Sequence, residues 1–341
     1  MITSQRIKSL ALSLGFDACG IVSIEVGATR ASRLQSDFDH FKQWIAKGYH
    51  GTMKYLEDFE ARAKNFWKNF PEAKSIIVVG VNYYSSYSST GSKRDTFPSE
   101  VSPGEPVPKG RVARYAWGKD YHRIIGNRLE EFRDKLNEAA GRPVRAEICV
   151  DTKPLLERSL AQKAGLGFMG KQSQLLHPKL GPWLFLGELV TDLELEPDLP
   201  YIGSCGSCRI CIDECPTEAI RPEGGIDARR CIAYLTIEHK GEISEELKSL
   251  IGDWVFGCDI CLQVCPYASK GKETHWNELK AESGFGPELN LAELLKISSN
   301  RAYEKKFKGT AILRANRKQL LRNTAVVLAN AGLLDKSKKV K

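Results

Sequence analysis

Cysteine is the residue type whose spacing in this chain most directly specifies chemistry. Of ten cysteines, eight fall between positions 205 and 265. The segment CGSCRICIDECP sets Cys205, Cys208, Cys211 and Cys215 at C-x2-C-x2-C-x3-C-P, a run that wraps thiolates around a cubane [4Fe-4S] cluster and turns the chain away at Pro216. Where two such clusters occur together, the fourth cysteine of each run serves the other cluster, so Cys215 requires a second run. It comes as VFGCDICLQVCP, in which Cys258, Cys261 and Cys265 match the last three positions and Val255 stands at the first. Cys231 is available as the missing ligand. One cluster is therefore assigned Cys205, Cys208, Cys211 and Cys265, and the other Cys215, Cys231, Cys258 and Cys261. Cys19 and Cys149 are left as ordinary buried cysteines. Zinc competes for C-x2-C pairs, but zinc ribbons separate their pairs by about 15–20 residues and do not use two Cys-Pro endings with crossed ligands. Two clusters form an electron wire and imply a redox partner.

Three further segments carry chemically suggestive residues. In VDTKPLLERS, Asp151 ends an apolar strand ahead of a helix start. It reads either as a helix-capping aspartate or as an acid at a pocket edge, its pKa raised by burial so that it can deliver a proton. AGLGFMGKQ (164–172) satisfies G-x-G-x-x-G and G-x4-G-K. The glycines follow a helix rather than a strand, however, and Gln172 replaces the Ser or Thr that would hold Mg2+, so a nucleotide loop is disfavoured. The glycines instead suggest close backbone approach to a large cofactor. DYHRIIG (120–126) approximates the D-x-H-x-x-G pattern of cobalt-ligating histidines with its glycine one residue late, which leaves His122 as a structural or surface histidine.

These residues need elements to hold them, and 341 residues, 42% hydrophobic, suffice for two or three compact units. SIIVVGVNYY (75–84) and VRAEICV (144–150) read as buried strands, HRIIGNRLEEFRDKLNEAA (122–140) as an amphipathic helix, and the Ser/Pro/Gly-rich stretch 85–110 as a long loop. Beyond residue 289 the pattern is of two or three short helices. The N-terminus has no apolar core of a signal peptide and no stretch approaches 18 uncharged apolar residues, so the expectation is a cytoplasmic protein without a membrane anchor. The formal charge of +8 is uneven: positions 296–341 carry 13 Lys or Arg against two acids. Lys305, Lys306, Lys308, Arg314, Arg317, Lys318 and Arg322 are expected to form a stripe suited to a phosphate backbone.

Taken together, EARAKNF, ARYAWGKDYH, VDTKPLLER, AGLGFMGK, GPWLFLGEL, the two cysteine runs and GTAILRANRKQLLRNTAVVLAN resemble the epoxyqueuosine reductases, cobalamin-dependent enzymes of the tRNA queuosine pathway, over nearly the whole chain. The family usually has Gly where Lys153 stands and Asn where Gln172 stands. The resemblance implies an α+β fold: a nitroreductase-like cobalamin-binding catalytic domain over 1–195, a ferredoxin-like double-cluster domain over 196–285 and a basic HEAT-like helical region over 286–341. It implies reduction of epoxyqueuosine to queuosine at the tRNA wobble position, with Asp151 as proton donor and Arg62, Arg114, Gln172, Leu175 and Asp259 lining the corrin or its tail. The partners implied are tRNA and an external electron donor such as ferredoxin or flavodoxin, with the protein expected as a monomer.

Overall fold

The computed structural model describes residues 2–24, 35–86 and 108–334. Most of the predicted 85–110 loop and the Lys-rich last residues lie outside the described residues. Strands β1 (Ala18–Ser23), β2 (Ser75–Asn82), β3 (Lys109–Val112), β4 (Ala146–Cys149), β5 (Phe168–Met169), β6 (Leu175–Leu176), β7 (Leu184–Thr191), β8 (Trp254–Phe256) and β9 (Glu288–Asn290) alternate with helices. The helices are α1 (Ser4–Ser13), α2 (Gln35–Ala46), α3 (Phe59–Asn69), α4 (Tyr121–Ala140), α5 (Glu157–Lys163), α6 (Ile210–Asp213), α7 (Ile232–Ile237), α8 (Glu245–Leu250), α9 (Ile260–Gln263), α10 (Leu291–Leu295), α11 (Asn300–Phe307) and α12 (Arg317–Asn330).

The main sheet is antiparallel with order β1-β2-β7-β4. Strand β2 is buried along its whole length, which explains its unbroken apolar sequence. Its alternate side chains serve two cores: Ile77, Val79 and Val81 pack with α1 and α4, whereas Ile76 and Val78 pack with α5. Helix α4 buries Ile125, Leu129, Phe132 and Leu136, one stripe at helical spacing. Asp120 caps its start, and Gly141 ends it at φ 64°, a left-handed conformation that glycine adopts without steric cost. The expected strands and this helix therefore form where their periodicity placed them.

A second sheet, of order β8-β3-β9, joins distant parts of the chain. Strand β3 pairs in parallel with β8 and antiparallel with β9. The segments 1–195, 196–285 and 286–341 thus each contribute one strand, and their apolar residues share a core containing Val112, Trp117, Val255, Phe256, Leu289 and Phe307. Helices α10, α11 and α12 cover it, matching the expected short C-terminal helices. Among the described residues no helix is long and apolar enough to cross a membrane.

Candidate functional site

Asp151 lies where β4 runs out toward α5, with φ 56°, a left-handed conformation uncommon for a residue other than glycine. Its backbone N–H donates to Glu157 Oε1 at 2.6 Å, which holds the turn, and its side chain is 61% exposed. Tyr121 Oη donates to Asp151 Oδ2 at 2.7 Å, and His122 Nε2 lies 3.5 Å from the same oxygen. The other ring nitrogen of His122 is 2.8 Å from Asp120 Oδ1. One helix N-terminus thus delivers Asp120, Tyr121 and His122 to the end of β4. Tyr121 is fixed by stacking on Phe185 with centroids 4.2 Å apart.

Desolvation pushes the Asp151 carboxyl upward, but the hydrogen bonds from His122 and Tyr121 and the His122 charge outweigh it, so the group sits below its ordinary value. This corrects the expectation of an acid whose pKa burial raises. The proton belongs instead to its neighbour: burial lowers the His122 pKa, yet hydrogen bonds to Asp120 and Asp151 carry it up to about 9. Behind Asp151, burial first and the Asp151 charge second raise Glu157 to about 7. Glu188 of β7, fully buried, is pushed well above the usual carboxylate range by burial and by Glu157. Arg314, whose charge also acts on Asp151, pairs with Glu238 at 2.7 Å and reaches Tyr55 Oη at 3.3 Å. No local motif signals this Tyr55–Arg314–Glu238 group, since only folding joins it to Asp151.

The five residues expected around a corrin are dispersed into three settings. Arg62 donates to the carbonyls of Tyr55 (3.4 Å) and Thr152 (3.3 Å), bracing the Asp151 turn. Arg114 is 2% exposed, with its guanidinium over Tyr84, Trp117 and Trp183 at 4.4–4.7 Å. Its backbone N–H donates to Asp259 Oδ2 at 2.6 Å, so Arg114 and Asp259 are brought together inside the protein. Gln172 and Leu175 lie on the β5–β6 hairpin; Leu175 belongs to the core beneath β2. The Gln172 side chain is buried, and neither atom of its amide has a hydrogen-bond partner in the protein. The same hairpin explains the nearby glycines. Gly165 (φ 80°) exits α5, and a Cβ at Gly167 or Gly170 would strike the Leu176 carbonyl or Gln172 Oε1. The close approaches at Gly167 and Gly170 are to atoms of the hairpin itself. Lys171 Nζ ties the hairpin to the first cysteine loop through the carbonyls of Gly206 (3.0 Å) and Cys208 (2.8 Å).

The cysteines partition into two groups. After burial, the strongest influence on Cys211 is the charge of Cys205, then of Cys265 and Cys208. Cys261 is likewise affected by Cys258, Cys231 and Cys215. Cys215, Cys231, Cys258 and Cys261 also line one small apolar cavity with Pro216, Ile220 and Ile232. Among the described residues no three side chains close tightly enough to hold a single metal ion; these thiols surround a space. Val255 explains the broken second run. It is the centre of β8, fully buried, and its carbonyl accepts from Asn323 at 2.9 Å. Cys231 stands instead at the start of α7, and Thr236 of that helix accepts from Gly257 N–H at 2.9 Å beside the run. Cys19 and Cys149 lie on β1 and β4, away from both groups; Cys149 is buried and Cys19 only partly so.

The basic stripe needs correction. Arg322 is turned inward, donating to the carbonyls of Leu235 (2.5 Å), His239 (2.7 Å) and Gly241 (2.5 Å). Arg317 donates to the Ile297 carbonyl at 2.7 Å, and Lys306 pairs with Glu293. Lys305, Lys308 and Lys318 remain exposed.

Comparison with known proteins agrees with this architecture. Residues 204–268 match a 4Fe-4S double cluster binding domain, and residues 64–152 match the family described as Epoxyqueuosine reductase QueG, DUF1730. The chain is 37% identical over 331 residues to the epoxyqueuosine reductase of Xanthomonas campestris, covering 96% of this chain and 86% of that one. With the enzyme of Escherichia coli K12 it shares 35% over 333 residues, with coverage of 96% and 81%. A crystal structure of epoxyqueuosine reductase with an epoxyqueuosine-modified tRNA-Tyr stem loop superposes with a TM-score of 0.79 at 29% identity, covering 96% of this chain and 81% of that one. The Bacillus subtilis enzyme, described with its catalytic aspartate loop swung out of the active site, gives 0.80 at 29%, with coverage of 96% and 82%. By full-length similarity, fold and double-cluster domain, the chain belongs to the epoxyqueuosine reductase family, oxidoreductases that reduce epoxyqueuosine to queuosine in tRNA.

Proposed function

We propose that this chain reduces epoxyqueuosine at the wobble position of tRNA, with electrons relayed by two [4Fe-4S] clusters to cobalamin, and that Asp151 passes a proton to the departing epoxide oxygen. The observation that carries the reading is the placement of Asp151: an exposed carboxylate held by Tyr121 and His122 beside a turn that Arg62 braces. Cys205, Cys208, Cys211 and Cys265 would hold one cluster, and Cys215, Cys231, Cys258 and Cys261 the other, in the crossed pattern of two-cluster proteins. The buried Gln172 amide, which lacks a protein partner, fits a polar cofactor, because unsatisfied buried amides are costly without one. Gln172 and Leu175 would contact cobalamin from the hairpin and Arg62 from the Asp151 side, with Arg114 and Asp259 setting the buried wall between that space and the second cluster. Held by these residues, the clusters would supply single electrons and cobalamin would supply a low-valent cobalt reactive toward an epoxide carbon.

The chain's own contribution is positional and protic. Epoxide opening places negative charge on oxygen, and Asp151 is the exposed member of a hydrogen-bonded group able to neutralise it. The tRNA backbone would be held by the exposed lysines of the C-terminal helices, leaving the wobble nucleoside free to enter the site. An external donor such as ferredoxin or flavodoxin would recharge the clusters of a monomeric, cytoplasmic enzyme. Anaerobic turnover of epoxyqueuosine-tRNA with added cobalamin and a chemical reductant tests the reading. Asp151→Asn keeps iron and cobalamin but loses about 10²- to 10⁴-fold in turnover; near-normal turnover would return Asp151 to a turn-forming role.

A further inference from the structure

Removing an epoxide oxygen as water consumes two electrons and two protons: both carbon–oxygen bonds break, a carbon–carbon double bond forms, and the oxygen acquires two hydrogens. The electrons come from the external donor that the reductase activity already requires. The protons must come from the site, and Asp151, held ionised by its neighbours, has none of its own to give until one is passed to it. The neighbourhood of Asp151 contains a second proton carrier in line with it. His122 sits between two carboxylates, Nδ1 at 2.8 Å from Asp120 and Nε2 at 3.5 Å from Asp151, and Tyr121 Oη donates to the same Asp151 oxygen at 2.7 Å.

We propose that His122 is the proton store of the active site: its imidazolium, clamped between Asp120 and Asp151, recharges the Asp151 carboxylate and, regaining a proton from solvent between transfers, supplies in turn the two protons that convert the epoxide oxygen to water. The inference rests on the role proposed for Asp151. His122 acts through Asp151 and is a positioning residue that need not touch substrate. In the step itself, the Nε2–H bond breaks as an O–H bond forms on Asp151, and that proton then moves to the oxygen leaving carbon. The neutral imidazole afterwards regains its proton from solvent, to which the His122 side chain is partly open.

The groups facing this pair favour the charged imidazole. Asp120 and Tyr121 come from the start of α4, Asp151 and Glu157 from the turn after β4 and from α5, and Arg314, paired with Glu238 and Tyr55, acts on Asp151 through its charge. Hydrogen bonds to the two aspartates overcome burial and keep His122 protonated up to about pH 9. His122 is therefore charged at neutral pH, and its supply of protons fails as pH rises through that value.

The test is the pH dependence of single turnover by anaerobically pre-reduced holoenzyme with epoxyqueuosine-tRNA, so that electron delivery does not limit the rate. The parent should lose turnover along an alkaline limb near pH 9. Asp120→Asn retains a helix-capping side chain but removes one of the two charges that sustain the imidazolium, so the limb should move toward neutral pH. His122→Asn should lose about 10²-fold in turnover, with partial rescue by added imidazole. An Asp120→Asn variant with the parent's limb, or a His122→Asn variant with the parent's rate and limb, would overturn the inference. Asp151→Asn separates the two levels. If it turns over normally, the role of Asp151 is wrong; if it is inactive while the Asp120 and His122 variants keep the parent profile, only the proton store is wrong.

Discussion

Replacing Cys231 by Ser isolates one half of the cluster scheme. The serine is nearly isosteric but binds iron poorly, and the position lies at the start of α7, whose packing depends on Ile232 and Leu235 rather than on the thiol. The crossed assignment makes the outcome quantitative: two cubanes carry about eight irons per chain, and losing one ligand of the Cys215–Cys231–Cys258–Cys261 group should leave about four. The companion substitution is Cys215→Ser. Cys215 is four residues from Cys211, yet it lines the same cavity as Cys231, Cys258 and Cys261. It should therefore reproduce the Cys231 defect, while Cys211→Ser should remove the other cluster. Iron per chain after anaerobic purification, with electron paramagnetic resonance of the reduced protein, reads both the number and the identity of the surviving cluster. Full iron in Cys231→Ser would remove that residue from the ligand set. A Cys215→Ser spectrum matching Cys211→Ser would refute the crossing itself.

Gln172→Ala should leave folding stability unchanged or slightly improved, because the amide satisfies no partner in the protein, while cobalamin affinity measured by absorbance titration falls. Arg322→Ala should destabilise the fold by roughly 1–3 kcal/mol, read from denaturant unfolding, since it removes the side-chain donor to the Leu235 carbonyl and one of the two donors to that of His239, which keeps Gln319 Nε2. Changing Lys305, Lys308 and Lys318 together to Ala should instead leave stability and iron content alone and weaken tRNA binding. The log–log salt slope should flatten by about 0.7–0.9 for each phosphate no longer neutralised, and an unchanged slope would place the RNA elsewhere.

Which thiols would gather in space was legible in the sequence because cysteine spacing is a local property: short loops leave little freedom in which residue follows which. Even Val255, standing where a cysteine was due, signalled a missing ligand, although only the strand pairing of β8 explains it. Asp151 was legible as a strand-end acid, but its protonation was not. Its partners lie about thirty residues earlier at the start of α4, and sheet register brings them together. Composition likewise showed a basic end without distinguishing Arg322, turned into a nest of carbonyls, from Lys318 in solvent. Charge is written in the sequence, whereas the acceptor that neutralises it is a product of the fold.

The β8-β3-β9 sheet has a consequence for how the metal centres come to be built. Cys258 lies just beyond β8, whose parallel pairing with β3 spans about 140 residues of chain, and β9 must be made before the sheet is complete. Such long-range pairings bear the entropy of loop closure before they return any stability, so they form late and slowly. The second run, whose internal spacing is local, is thus brought to its place against the first by the collapse of the whole chain. Under the crossed scheme each cluster would draw one ligand from across the crossing, Cys265 for the first and Cys215 for the second, so neither site could be complete before that sheet has formed.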